Sequence, residues 1–106
     1  MLVTTQDLFA DYQITATLGL VRGNTVRSRH IGKDIVAGLR SIVGGEIPEY
    51  TKMLAEAREQ ALDRMQAQAR KLGADGIVTV RFVTSTILGG AAELLAFGTA
   101  VKLARR

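Results

Sequence analysis

Apolar positions fall two apart between residues 12 and 20: Tyr12, Ile14, Ala16, Leu18 and Leu20, with polar or small residues between them. A period of two is that of a strand with one buried face. Gly23-Asn24 follows, between Leu20-Val21-Arg22 and Thr25-Val26-Arg27. Both residues of the pair accept positive φ, so the pattern predicts a tight hairpin at this point. Residues 2–4 predict a further short strand.

The period then changes. Over residues 33–43 the apolar positions are Ile35, Val36, Leu39, Ile42 and Val43, which share one face of a short helix. Gly44-Gly45 ends it, because glycine takes the left-handed conformation that closes a helix. Pro48 opens a second, longer helix running to Leu72, since a proline at the first helical position loses no hydrogen bond. Its apolar stripe is Tyr50, Met53, Leu54, Ala57, Ala61, Met65, Ala69 and Leu72, and Gly73 stands at the C-cap. Met53, Leu54, Ala57, Ala61 and Met65 are the expected core.

Residues 77–86 are rich in β-branched side chains and predict a strand, Gly89-Gly90 a turn, and residues 92–103 a last long strand. Leu95, Phe97, Val101 and Leu103 line one face of that strand. Ala92, Leu94, Ala96, Gly98 and Ala100 line the other, which is also uncharged up to Lys102. A strand with an open side should carry polar residues there. Either another segment of the chain covers the small face or a second subunit does, and with two helices available we expect the subunit.

Composition narrows the function. The 106 residues, 47% hydrophobic and 23% charged, suit one globular domain, residues 1–106, with aromatics only 5%. There is no cysteine, which rules out disulfides, thiolate metal sites and a cysteine nucleophile. The start lacks the pattern of a signal peptide and no apolar run reaches the roughly 18 residues of a membrane span, so a cytoplasmic location is expected. A net charge of +4 is too modest and too dispersed for a dedicated nucleic-acid binder.

The single histidine, His30, has Asp34 four residues on as an orienting acid but no identifiable nucleophile, which points away from an enzyme. His30, Asp34, Asp75 and Glu93 are spread over different elements in no metal-site spacing, so neither a metal nor another cofactor is expected. The basic stretch is more suggestive. Arg22, Arg27, Arg29, Lys33 and Arg40 face a single acid, Asp34, and Lys33 falls at a predicted helix N-terminus, where anions are favoured. These five residues are the candidate anion-binding set.

Five strings in order resemble one family: Leu18-Gly19-Leu20-Val21-Arg22-Gly23, Gly38-Leu39-Arg40-Ser41-Ile42-Val43-Gly44-Gly45, Ala57-Arg58-Glu59-Gln60-Ala61, Leu72-Gly73-Ala74-Asp75-Gly76-Ile77-Val78 and Phe97-Gly98-Thr99-Ala100-Val101. The chain looks like a member of the uncharacterised YbjQ-like family, UPF0145, which also bears the label "putative heavy-metal-binding". The resemblance spans nearly the whole chain. It implies an α+β fold: a two-layer α/β domain with a small, mainly antiparallel sheet, one long and one short helix, assembled as a homopentameric ring. It implies no activity and no functional residues. The expected function is therefore a homo-oligomeric binding module for a small molecule or anion, with a structural or interaction scaffold as the alternative.

Overall fold

The protein is described by a computed structural model covering residues 1–28, 48–87 and 91–106. The elements run β1 (Leu2–Val3), β2 (Tyr12–Ser28), α1 (Pro48–Lys71), β3 (Gly76–Ile87) and β4 (Ala91–Arg105). They form an α+β fold with a four-stranded sheet in the order β1-β3-β4-β2. β1 runs parallel to β3, and β4 is antiparallel to both of its neighbours. The expected short helix over residues 33–43, with Gly44-Gly45 and the Gly89-Gly90 turn, lies outside the described residues.

The expected hairpin at Gly23-Asn24 is not formed. β2 runs without a turn through seventeen residues and pairs with β4 along its length, Gly23 against Ala96 and Asn24 against Leu95. The glycine has another reason to be there. A Cβ at Gly23 would overlap the Ala61 carbonyl oxygen and the Met65 amide nitrogen, and would lie 2.8 Å from Arg64 Cβ. Only a residue without a side chain lets the helix backbone lie this close to the strand.

α1 is seated by an i, i+4 row of mostly small residues, Ala57, Ala61, Met65 and Ala69, all fully buried. Ala61, Met65 and Ala69 of this row pack in one cluster with Val21 of β2, Ala96 and Ala100 of β4, and Ile77 and Val80 of β3. The small face of β4 is thus covered by α1 of the same chain, which corrects the expectation of a second subunit there. Met53 and Leu54 are half-buried, and Leu72 of the expected stripe is 46% exposed. Leu72 lies just past the last helical residue, Lys71. Gly73 takes φ +76. The Ala74 amide donates to the Ala69 carbonyl and the Gly73 amide to the Arg70 carbonyl, at 3.1 and 3.0 Å. This is the glycine-capped helix end expected from the sequence.

The other face of the sheet carries Leu20, Arg22, Asn24 and Val26 of β2, paired in register with Thr99, Phe97, Leu95 and Glu93 of β4. No helix of the described residues lies over it. Leu20 is 66% exposed and Val26 51%.

Candidate functional site

Two of the five basic candidates are described, Arg22 and Arg27, and both are on β2. Burial alternates strictly from Val21 to Val26, with odd positions inward and even positions outward. Arg22 therefore stands on the open face, and Arg27 on the helix side. A hairpin would have put them on adjoining strands; a continuous strand parts them to opposite faces. Arg29, Lys33 and Arg40 lie outside the described residues.

Arg27 is engaged by α1. Its Nη2 donates 2.8 Å to Gln60 Oε1. A shallow groove of about 500 Å³ surrounds it, lined also by Ala55, Glu56, Glu59 and Asp63. Three carboxylates around one guanidinium make this groove acidic, and an anion gains nothing from entering it.

Arg22 has a different setting. Its cross-strand partner is Phe97 of β4, whose partner in turn is Arg81 of β3. The register draws a row of residues across the open face: Arg22, Phe97, Arg81. Arg81 is partly committed, since its Nη1 donates 2.8 Å to the Thr5 and Val80 carbonyls. Composition gave no hint of Arg81, because only the strand register brings it beside Phe97.

Asp75 and Glu93, the two described residues of metal-ligating type considered above, do not meet. Asp75 Oδ2 accepts the Leu103 amide at 2.9 Å, and Glu93 Oε2 accepts Asn24 Nδ2 at 3.2 Å. The Asp75 amide donates 2.9 Å to the Val101 carbonyl, eight positions along β4 from Glu93. At roughly 3.4 Å per residue that is about 27 Å. No group of three or more His, Cys, Asp or Glu among the described residues is placed to hold a metal ion. His30 and Asp34 lie outside the described residues.

A family model described as "Putative heavy-metal-binding" matches residues 1–104. A UPF0145 protein of Methanosarcina acetivorans is 57% identical over 106 residues, covering 100% of both chains. One from Methanococcus vannielii is 61% identical over 103 residues, covering 97% of this chain and 98% of its own. A crystal structure of a protein of unknown function from Pediococcus pentosaceus, assigned to the DUF74 family, superposes with a TM-score of 0.70 at 16% identity. It covers 98% of each chain and shares the fold. The residues described here do not fit the metal of the family description. Soft metals favour thiolate and imidazole, and the whole chain has no cysteine and one histidine.

Proposed function

Since the chain belongs to the YbjQ-like UPF0145 family, we propose that it is a cytoplasmic, non-enzymatic binding module whose copies close into a ring of five, with a small anion held where they meet. The observation that carries the assembly is the open sheet face. Leu20 and Val26 are more than half exposed there, and Leu95 and Phe97 between the strands are half-buried. Contiguous exposed apolar area marks an interaction surface. The shape agrees: the radius of gyration is 17.3 Å, with extents of 54 × 24 × 16 Å. A self-sufficient domain of about 100 residues has a radius of gyration near 13 Å.

The anion is assigned to Arg22 with Arg81, on either side of Phe97. The acid of this face, Glu93, lies four positions along β4 from Phe97 and is bonded by Asn24, whereas three carboxylates surround Arg27. A ring would repeat the row and strengthen weak binding through multivalency. The alternative is a scaffold with no small ligand, for which the exposed Leu20 and Val26 of the open face suffice. Native mass spectrometry of the purified protein separates these readings. A multiple of the 11.4 kDa chain mass with an added small mass is expected. The bare multiple favours the scaffold, and a monomer at micromolar concentration overturns the assembly.

A further inference from the structure

Among the described residues, β2 is the outermost strand of the sheet for all of its seventeen residues. A free edge of that length is a template for another chain. Between Leu20 and Val26 the even-numbered residues direct their backbone N–H and C=O groups away from β4, by the alternation of an antiparallel pair. At the centre of this edge those groups are already taken. The Arg22 amide donates to Gln68 Oε1 at 2.7 Å. The Asn24 carbonyl accepts a hydrogen bond from Arg64 Nη1. Both side chains come from α1, held close by the bare backbone of Gly23 and by the buried Thr25 hydroxyl, which donates 3.0 Å to the Ala57 carbonyl.

The edge so closed is self-complementary. Antiparallel pairing of two copies of β2 about Gly23 sets Leu20 of one copy opposite Val26 of the other, and Arg22 opposite Asn24. Apolar meets apolar on the open face, and no like charges face each other. Such a pairing is two-fold and isologous, and competes with the head-to-tail contact that a ring requires.

We propose that Gln68 and Arg64 determine the specificity of self-association: they close the middle of β2 against a strand from a second copy. Copies then have the open face left to meet through, a consequence that rests on the ring reading; the closing of the edge does not.

The test is the double variant Gln68→Ala with Arg64→Ala, compared with wild type by native mass spectrometry at equal concentration. Far-UV circular dichroism checks that α1 persists. The folded double variant is expected to populate a species with twice the wild-type number of chains. Gln68→Glu, which keeps an acceptor for the Arg22 amide, is expected to retain the wild-type mass. A folded double variant with the wild-type distribution overturns the proposal. If the double variant does not fold, Gln68→Ala alone is read by the same criterion. A monomeric wild type removes the ring, while doubling of the variant to a dimer still upholds the closed edge.

Discussion

Thr79 takes φ +56, the one non-glycine residue with positive φ among those described. A β-branched side chain is a steric outlier in that region. The residue sits in the irregularity of β3 between Val78 and Arg81, where pairing with β4 skips. Two bonds hold it. Its amide donates 2.8 Å to the Gln6 carbonyl, and its hydroxyl donates 3.1 Å to Asp7 Oδ1. The segment after β1 is thereby fastened to the bulge, with the Val80 amide donating to the Thr4 carbonyl beside it. Left-handed conformation costs an ordinary residue about 1–2 kcal/mol, and asparagine visits it more readily. The Asp7 bond is exposed and contributes little. Thr79→Asn is expected to stabilise the protein by about 1 kcal/mol, read as a higher denaturation midpoint with an unchanged m-value. A lower midpoint would mean that the Asp7 bond outweighs the strain.

The contact between α1 and β2 is decided by spacing. Alanines at 57, 61 and 69 leave the helix backbone low over the strand, and Gly23 receives it. Gly23→Ala sets a methyl group against two backbone atoms of α1, which cannot rotate aside as a flexible side chain would. The helix must lift, and the Gln68 and Arg64 bonds to the edge of β2 lengthen with it. A loss of about 3 kcal/mol is expected by chemical denaturation, at the upper end of ordinary overpacking. A loss below about 0.5 kcal/mol, the range of surface substitutions, would show that the helix is not seated here. The long helix was legible in the chain because its signals are local: a proline at the start, apolar residues at i, i+4 and a glycine at the end. The run of β2 past Gly23-Asn24 was not. The same dipeptide serves a hairpin or a close approach, and only a helix nearly forty residues later in sequence selects between them.

At the scale of the whole molecule, the described residues cover one face of the sheet and not the other. α1 accounts for the covered face, so the open face is where copies are proposed to meet. Leu20→Lys tests this. The side chain is 66% exposed, so a change there alone should alter the stability of a single chain by no more than about 0.5 kcal/mol. Buried in an interface, an unpaired ammonium is costly. Subunit association is expected to weaken about 100-fold, or about 2.7 kcal/mol, with helix content unchanged. Retention of the wild-type mass by light scattering would place the contact elsewhere. The basic candidates show the limit of reading charge along a chain. Arg22 and Arg27 are five positions apart, an odd number, so a continuous strand sends them to opposite faces.

Composition and periodicity determined the α+β class, the extent of α1 and its glycine cap, the β-rich C-terminal half and the want of soft-metal ligands. Each depends on residues within a few positions of one another or on residue type alone. Tertiary structure decided which face of β4 lies under the helix, why Gly23 is a glycine, and what closes the edge of β2. It also set Arg22, Phe97 and Arg81 in one row while turning Arg27 toward carboxylates. Those outcomes depend on strand order and register, which join residues far apart in the chain, as from Arg22 to Gln68, 46 positions on. No local pattern encodes that pairing, because it follows from which surfaces fit once the helix and the strands already exist.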